Sequence, residues 1–377
     1  MTPRPRDRKR TIRAVATRLF RAHGFARVGL AEIAEVVGIS APALYKHFRS
    51  KQDLLCALLE DELAALDEAL AVGGGDIYDA LATFAAERTA FGVLWQRERP
   101  KVDSADRARF DERMAALRDR VTIGTTGEPV LTRAMLSVVE STTYYADRPD
   151  RTAQRAALRN ILVAVGGTSG LTTVCPPVVA ASGPLLSARP WLSRRQAILI
   201  LAPQLTQVRG GYDDVTMEDL GTAAGMSGAA AYHYFPSKAD VFQAAFAQAA
   251  SWGQAMLEQA WTAATSPDDM LDRVLAGAVR LSKDFPAIIR TALNNTVELP
   301  EPQRVAALAG AAQYTGEWQR CLAVVRPDLS KEDIEVLTFA VLAMIGDLAG
   351  PTSGDNVVVP AADLVVLARR VVLTGVA

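Results

Sequence analysis

The residues with the clearest chemical purpose lie in one short stretch, SAPALYKHFRSK, at positions 40 to 51. It begins with small side chains and continues with a hydroxyl, an ammonium and an imidazole group, at Tyr45, Lys46 and His47. Small residues let a backbone approach DNA bases closely, and their methyl groups suit thymine methyls. The three polar groups suit phosphate oxygens. The stretch therefore predicts contact with double-stranded DNA.

Short helices are predicted to position these side chains. Apolar residues recur at helical spacing from position 9 to 22, and Gly24 ends that helix. A second short helix is predicted before Gly38, which suits the left-handed position after a helix, and Ser40 is predicted to cap a third. On that third helix Leu44 and Phe48, one helical turn apart, would face a core. Two short helices joined by a tight glycine turn are the layout of a helix-turn-helix, whose second helix enters the major groove.

The design occurs twice in the chain. GMSGAAAYHYFPSKADVF at 225–242 repeats GISAPALYKHFRSKQDLL at 38–55 without a gap. Ser50 with Asp53, and Ser237 with Asp240, predict the same cap at the start of a fourth helix. A repeat of this length indicates two copies of one domain. The identical pairs from position 28 onward are Val28 and Val215, Gly38 and Gly225, Ser40 and Ser227, Ala43 and Ala230, Tyr45 and Tyr232, Phe48 and Phe235, Ser50 and Ser237, Lys51 and Lys238, and Asp53 and Asp240.

The segment LAEIAEVVGISAPALYKHFRSKQDLL resembles the DNA-binding signature of the TetR family of bacterial transcription regulators, and MEDLGTAAGMSGAAAYHYFPSKADVF resembles a more divergent copy of it. The resemblance implies an all-α fold of two tandem units, each with an N-terminal helix-turn-helix domain and a C-terminal helical body that binds a small molecule and dimerises. The expected boundaries are 1–55 and 56–171 for the first unit, 172–192 for a linker, and 193–242 and 243–377 for the second unit.

The resemblance also assigns residues to DNA by position, with residues 41–43 on bases, Tyr45, His47 and Lys51 on phosphates, and Lys46 on either. The second unit supplies the matching positions. In the first unit the assigned residues are Ser40, Ala41, Pro42, Ala43, Tyr45, Lys46, His47 and Lys51. In the second unit they are Thr216, Ser227, Gly228, Ala229, Ala230, Tyr232, His233, Tyr234 and Lys238. Thr216 with Asp219 forms a predicted capping box, whereas Gly29 stands at the matching position of the first unit.

Charge and one proline distinguish the two copies. Residues 1–51 contain twelve Lys or Arg and three Asp or Glu, a net charge of +9, while the whole chain has −1. Residues 189–238 contain five cations and four anions, a net charge of +1. Nonspecific attraction to DNA depends on cations, so the second copy is expected to contribute less of it. Pro203 is expected to kink or break the first helix of that copy.

The rest of each half is predicted to be helical, and no strand-like alternation persists. The expected helices are 51–70, 76–99, 104–122, 130–146 and 152–166 in the first half, and 238–264, 267–283, 286–297, 302–325, 331–349 and 361–374 in the second. The resemblance implies that the last two helices of each half form a dimer interface. We expect them to pair within one chain, as an intramolecular pseudo-dimer that can read an asymmetric operator.

Composition limits the other classes of function. The three cysteines lie far apart, which argues against a disulfide framework or a zinc site and for a reducing cytosol. No apolar run is long enough to span a bilayer, so we expect a cytoplasmic protein with no membrane contact. No nucleophile triad, phosphate-binding glycine loop or metal-ligand cluster is recognisable, so we expect neither an enzyme nor a cofactor.

An effector is implied by the resemblance rather than by a motif. Phe91, Leu94 and Trp95 lie beside Arg97, an apolar wall next to cations that would suit a lipid acid or an acyl-CoA. The same aromatic residues also fit an ordinary core. The leading hypothesis is a repressor released by a hydrophobic effector. The alternative is a regulator whose second unit no longer reads DNA and serves as a scaffold or co-regulator.

Overall fold

The computed structural model describes residues 5–72, 75–145, 150–172, 191–350 and 358–376. The predicted linker at 172–192 lies almost entirely outside these residues. Within them every regular element is helical and no strand is formed, as expected for an all-α chain. The first half contains α1 (Pro5–His23), α2 (Leu30–Val37), α3 (Ala41–Tyr45), α4 (Lys51–Val72), α5 (Ile77–Glu87), α6 (Phe91–Val93), α7 (Ser104–Gly124), α8 (Pro129–Ser141) and α9 (Arg151–Gly166).

The second half repeats this order, and most helices of its body are longer than their counterparts. Its elements are α10 (Arg194–Arg209), α11 (Met217–Ala223), α12 (Gly228–Ala231), α13 (Lys238–Ala263), α14 (Pro267–Asp284), α15 (Pro286–Asn295), α16 (Glu301–Val325), α17 (Lys331–Leu348) and α18 (Ala361–Thr374). Three short turns matter below: a π-helical turn at Leu94–Glu98 and two 3-10 turns at Arg99–Lys101 and Thr296–Glu298. The helix predicted over 76–99 is therefore wrong, because α5 ends at Glu87 and a π-helical turn follows α6.

Side-chain caps set the starts of the helices that form the repeat. The hydroxyl of Ser50 accepts a hydrogen bond from the Asp53 N–H at 3.0 Å, and that of Ser237 does so from the Asp240 N–H at 3.3 Å. Ser40 caps α3 in the same way. Each such cap contributes about 1 kcal/mol to the stability of its helix. The caps explain why α3 and α4 remain separate helices.

The predicted break at Pro203 is wrong, because α10 runs continuously from Arg194 to Arg209. Pro203 is buried, and its carbonyl accepts a hydrogen bond from the Thr206 hydroxyl at 2.7 Å. Packing of α10 against α13 and α15 covers this part of the helix. The contacts of a buried helix offset the hydrogen bond that proline cannot donate.

One hydrophobic core joins the two halves. Helix α8 packs on α17 and α9 packs on α18 and α17, while α8 also contacts α9 and α17 contacts α18. The larger core takes side chains from α8 and α9 and from α17 and α18, and it continues into the first helix-turn-helix. The second helix-turn-helix has a separate, smaller core.

Polar and aromatic contacts also cross between the halves. Arg133 Nε on α8 lies 3.0 Å from Asp347 Oδ2 on α17, and the Ser137 hydroxyl donates to the same oxygen at 3.0 Å. The ring of Phe339 stacks on Tyr144 and Tyr145, with centroid distances of 5.7 and 5.8 Å. These contacts fix the register of α8 against α17, since each side chain has its partner in the other half.

We expect Phe339→Ala to lower the free energy of unfolding by about 2 kcal/mol, less than for a fully buried phenylalanine because Phe339 is partly exposed. The variant should still unfold in one transition for the joined bodies, because the core is shared. Urea unfolding followed by tryptophan fluorescence and by circular dichroism measures both quantities. Val366→Ala, at a side chain 57% exposed on α18, is the control and should change little. Separate transitions for the two bodies would contradict a shared core.

Candidate nucleic-acid interface

The first helix-turn-helix places its side chains as the sequence predicts. Gly38 adopts φ +76° after α2, and the Ile39 N–H then bonds to the Ala34 carbonyl at 2.9 Å. Leu44 and Phe48 are buried in the core. The opposite face of α3 is open: Pro42, Tyr45 and Lys46 are exposed, and Ala41, Ala43 and His47 are partly exposed. This face can approach a groove without a change in the backbone.

Cations accompany this face from α1. Lys9 is exposed, and its Nζ lies 5.5 Å from the centroid of the Phe48 ring, beside the turn between α3 and α4. Arg13 Nη1, by contrast, pairs with Asp61 on α4 at 2.8 Å. The basic N-terminal part of α1 thus lies next to the predicted recognition helix. A cation at this position favours a phosphate backbone.

Lys51 and Lys238 have a structural role that sequence reasoning missed. Lys51 Nζ donates to the Phe25 carbonyl at 2.8 Å and the Ala26 carbonyl at 3.2 Å, and it lies 4.3 Å from the Phe25 ring centroid. Burial is the main cause that lowers its pKa. Two of its three N–H donors are therefore used within the protein. A phosphate contact at Lys51 stays a prediction. The only sign of the loop contact in the sequence was that lysine stands at this position in both copies of the repeat, as Lys51 and Lys238.

Lys238 repeats this arrangement in the second unit. Its Nζ donates to the Tyr212 carbonyl at 2.7 Å and lies 4.1 Å from the Tyr212 ring centroid. Burial is again the main cause of a lowered pKa. Phe25 and Tyr212 occupy equivalent positions of the sequence repeat. Both lysines therefore fix the loop that follows the first helix of their unit.

The second helix-turn-helix keeps the backbone of the first. Gly225 adopts φ +71°, the Met226 N–H bonds to the Gly221 carbonyl at 2.9 Å, and Phe235 is buried. Ser227 caps α12, and Thr216 and Asp219 form the predicted capping box at α11. The exposed residues on the outer face are Ala229, Tyr232, His233 and Tyr234, with Ala230 partly exposed.

Gly228 departs from the prediction that it faces outward, because it is buried under Glu218. Its N–H donates to Glu218 Oε2 at 3.0 Å. A Cβ at this position would stand 2.7 Å from the Glu218 Cα, closer than real contacts allow. The counterparts in the first unit are Ala41 and Ala31, which carry no charge. Helix α12 thus begins beside a carboxylate, which repels phosphate.

The four residues predicted to bind an effector lie in the interior. Phe91, Leu94 and Arg97 are almost fully buried, and Trp95 is 9% exposed. The Phe91 ring contacts Phe84 and Trp95. Arg97 is held by the protein, since it donates to the Phe20 carbonyl at 2.6 Å and to Glu98 Oε1 at 2.7 Å. These contacts are those of a core and of a buried ion pair, and the four residues line neither of the two cavities identified in the described parts of the chain.

One of those cavities lies between the halves. It is a small cavity of about 40 Å³ that is partly open to solvent, and its lining includes Gln96 and Glu140 from the first half and Arg290 and Asn294 from the second. The Gln96 amide donates to Glu140 Oε2 at 2.5 Å. Burial, followed by the charge of Asp347, raises the pKa of Glu140 to about 8. The buried Thr143 hydroxyl, also in the lining, has no hydrogen-bond partner within the described residues.

Other classes of site have no counterpart among the residues described. No group of three or more His, Cys, Asp or Glu side chains there is close enough to hold a metal ion. No helix in the described ranges is long and apolar enough to cross a bilayer. The exposed faces of α3 and α12 and the cavity between the halves are the candidate surfaces for a partner.

We expect Glu140→Gln to weaken the dependence of stability on pH. A carboxyl whose pKa is near 4.5 when unfolded and about 8 when folded stabilises the fold most below the unfolded value, and this stability is lost as pH rises through the folded value. The midpoint of urea unfolding should therefore fall between about pH 5 and pH 9. Glu62, whose pKa burial raises to about 7, contributes in the same direction. Glu140→Gln should be more stable than wild type at the alkaline end, whereas Glu68→Gln, an exposed control, should follow wild type. An unchanged slope in Glu140→Gln would contradict the assignment.

Comparison with known proteins identifies the two helix-turn-helix segments. Residues 12–58 and 208–245 match the model of the family described as bacterial regulatory proteins, tetR family. The match covers α1 to the start of α4, and the end of α10 to the start of α13. Both helix-turn-helix segments of the chain are thus similar to the DNA-binding domain of that family.

Solved structures are also similar to parts of the chain. A TetR-family transcriptional regulator from Bordetella parapertussis is 21% identical, with a TM-score of 0.42, over 48% of this chain and 93% of its own. The TetR-family regulator PfmR from Thermus thermophilus is 22% identical, with a TM-score of 0.39, over 47% of this chain and 97% of its own. AibR, solved with isovaleryl coenzyme A and operator DNA, is 19% identical, with a TM-score of 0.37, over 43% of this chain and 89% of its own.

Proposed function

We propose that this chain is a transcriptional repressor in which two unlike tetR-type units, joined covalently, bind one asymmetric operator and are released by a small effector. The observation that carries the proposal is the pair of recognition helices, each open on its outer face and each built on the same turn, cap and loop-holding lysine. Two such helices about one turn of DNA apart, roughly 34 Å, are what a two-headed reader of this kind needs.

In the first unit, Ala41, Pro42 and Ala43 would contact bases, and Tyr45 and His47 would contact phosphates. Tyr45 is 52% exposed, so its hydroxyl is free to reach a phosphate oxygen. Lys46 is exposed and can reach either a phosphate or a base edge. In the second unit the counterparts of Tyr45 and His47 are Tyr232 and Tyr234, which are 55% and 41% exposed and would take the corresponding phosphate contacts. His233, which is exposed, stands at the position of Lys46.

The tethered arrangement is part of the proposal. The pairing of α8 with α17 and α9 with α18 supports an intramolecular pseudo-dimer. A covalent link replaces a concentration-dependent association with a local concentration on the order of millimolar. Because the two units differ on their outer faces, such a pseudo-dimer is suited to an operator with two different half-sites.

A second candidate is a regulator whose second unit serves as a scaffold and does not read DNA. Glu218 favours it, because its carboxylate lies on the N-terminus of α12 and occupies the Gly228 N–H. The low net charge of residues 189–238 also favours the scaffold candidate, because it weakens attraction to DNA. Against it stand the exposed Tyr232 and Tyr234 side chains, which have no evident role in the fold.

For the effector, the cavity between the halves is a better site than the buried Phe91 cluster. Its lining comes from both halves, so a ligand there would alter how the halves meet. A ligand that prefers one arrangement shifts the spacing of the two recognition helices and weakens DNA binding. The lining combines apolar surface with the polar groups of Gln96, Glu140 and Arg290. We therefore propose an effector that has both apolar and hydrogen-bonding groups; a lipid acid or an acyl-CoA, as suggested by the sequence, would place its polar end against these side chains.

DNA binding is tested by fluorescence anisotropy on a site selected from random-sequence DNA with the wild-type chain. We expect the pair Tyr45→Phe and Lys46→Met to weaken binding about tenfold, because two phosphate contacts together contribute about 1.4 kcal/mol. Loss of Lys46 should also reduce the slope of log K against log salt concentration by about one. The pair Tyr232→Phe and His233→Ala tests the second unit in the same assay. Weakening by the first pair alone supports the scaffold candidate, and no weakening by either pair would refute DNA reading through α3 and α12.

The effect of Glu218 on DNA binding has its own test. We expect Glu218→Gln to raise DNA affinity about threefold to fivefold, because the amide can still accept from the Gly228 N–H while the repulsion of phosphate is removed. Glu87→Gln, the same charge change at an exposed position of α5, is the matched control. If both variants bind like wild type, α12 does not approach DNA.

A further inference from the structure

Two buried glutamates, one in each half, hold the loops of the two helix-turn-helix units. Glu98 Oε1 accepts a hydrogen bond from the Phe25 N–H at 3.3 Å, and Glu298 Oε2 accepts one from the Tyr212 N–H at 3.4 Å. Both glutamates are fully buried. The same two loop residues use their carbonyls for the lysine contacts described above, since Lys51 binds the Phe25 carbonyl and Lys238 the Tyr212 carbonyl. Each loop is thus fixed at both its N–H and its carbonyl.

The two glutamates are equivalent in space although the sequence repeat does not pair them. The register that pairs Phe25 with Tyr212 would pair Glu98 with Phe285 and not with Glu298. Both glutamates lie in a short turn that precedes a long helix of the body, α7 in one half and α16 in the other. Each turn is therefore the place where the helical body of one half is hydrogen-bonded to the helix-turn-helix unit of the same half.

One lysine forms ion pairs with both of these glutamates. Lys101 Nζ lies 3.1 Å from Glu98 Oε2 and also pairs directly with Glu298 Oε1, and its side chain is only 8% exposed. Only one half supplies this cation, because the residue three positions after Glu298 is Glu301, which is exposed. The path from one DNA-binding loop to the other therefore runs through Phe25, Glu98, Lys101, Glu298 and Tyr212.

The surroundings leave little freedom around this path. A Cβ at Gly24 would lie 3.4 Å from the Glu298 Cγ, and one at Gly211 would lie 3.3 Å from the Lys101 Cε. Arg27 adds a further contact between the halves by donating to the Leu299 carbonyl at 2.8 Å. Each loop thus lies next to a bridge residue of the opposite half, as well as being bonded to the glutamate of its own half.

Electrostatics makes the central lysine necessary. Two buried carboxylates that share one ammonium group would repel each other without it. Arg97 pairs with Glu98 on its other side, so two cations balance two anions. Burial alone would lower the pKa of Lys101, but the two glutamates outweigh it and raise the pKa, which keeps the bridge charged.

The two turns that contain Glu98 and Glu298 both lie close in the chain to residues that line the cavity between the halves. In the first half, Gln96 lines the cavity and stands in the same π-helical turn as Arg97 and Glu98. In the second half, Asn294 lines the cavity, and the next residue, Asn295, donates its amide to Glu298 Oε2 at 2.7 Å. A ligand that moves Gln96 or Asn294 would therefore act on the residues that hold the two loops.

We propose that Lys101 is a positioning residue that couples the two DNA-binding units, and that the Glu98–Lys101–Glu298 bridge sets the separation of α3 and α12 and transmits the state of the cavity to both. The bridge couples the positions of the two helix-turn-helix units in the protein without DNA. Its effect on operator binding rests on the proposed function.

The position of the two units is measured without DNA by double electron–electron resonance. Spin labels are attached through a ketone-bearing amino acid at Arg49 and Pro236, which are exposed counterparts beside α3 and α12. Wild type should give one narrow distance distribution. Lys101→Met should broaden it at least twofold, Lys101→Arg should stay closer to wild type, and Lys331→Met, an exposed control of equal charge change, should match wild type. A wild-type distribution in Lys101→Met overturns the proposal.

A second variant covers the case in which Lys101→Met does not fold. Glu298→Gln keeps an acceptor for the Tyr212 N–H but removes the charge that pairs with Lys101, and it should broaden the distribution to a smaller extent. If Glu298→Gln folds and keeps the narrow distribution, the bridge does not position the units.

The consequence for DNA is measured with the selected site and with versions that carry one, two or five extra base pairs at its centre. Wild type should prefer one spacing at least tenfold, whereas Lys101→Met should discriminate less than threefold. Failure of wild type to bind any selected site would count against the proposed function and leave the distance measurement as the test of the bridge. Equal spacing preference in wild type and Lys101→Met would overturn the role of the bridge in DNA reading.

Discussion

The packing of α8 and α9 against α18 and α17 is the constraint on which the rest of the structure depends. Each of these helices is apolar on the face that meets the other half, so neither half can bury its surface alone. The shared core makes one body from two halves, and that body carries both helix-turn-helix units. The relative position of α3 and α12 is consequently a property of the body rather than of two independent domains.

Apolar packing alone does not fix a relative position finely, and the polar contacts between the halves supply this. A buried ion pair adds little net stability, because desolvation offsets most of the attraction, but it strongly disfavours arrangements in which one charge loses its partner. Arg133 with Asp347 acts in this way inside the bundle, and Lys101 with Glu98 and Glu298 does so beside the DNA-binding loops. Apolar contacts change little in energy when one half slides slightly against the other, whereas these ion pairs lose their partners.

The sequence predicted what depends on local rules. Capping at Ser50 and Ser237, the left-handed glycines at 38 and 225, and the buried Leu44 and Phe48 all follow from short-range patterns, and the structure confirms them. The break that the sequence allowed at Pro203 does not occur, because packing of α10 against α13 and α15 offsets one missing hydrogen bond. The loop contacts of Glu98 and Glu298 could not be predicted, since their partners Phe25 and Tyr212 lie far away in the sequence and the repeat does not align the two glutamates.

The differences between the two units are correlated, which argues against random decay of the second. Glu218 can reach over the start of α12 only because position 228 has no side chain, and α11 can approach the turn so closely only because position 221 has none: a Cβ there would lie 2.6 Å from the Ser227 carbonyl. The first unit has alanine at the counterparts of all three positions, Ala31, Ala34 and Ala41. A carboxylate and two glycines fit one another at the start of α12, beneath an outer face that still exposes Tyr232 and His233. The carboxylate reduces attraction for phosphate at the helix start, while the side chains farther along α12 remain exposed.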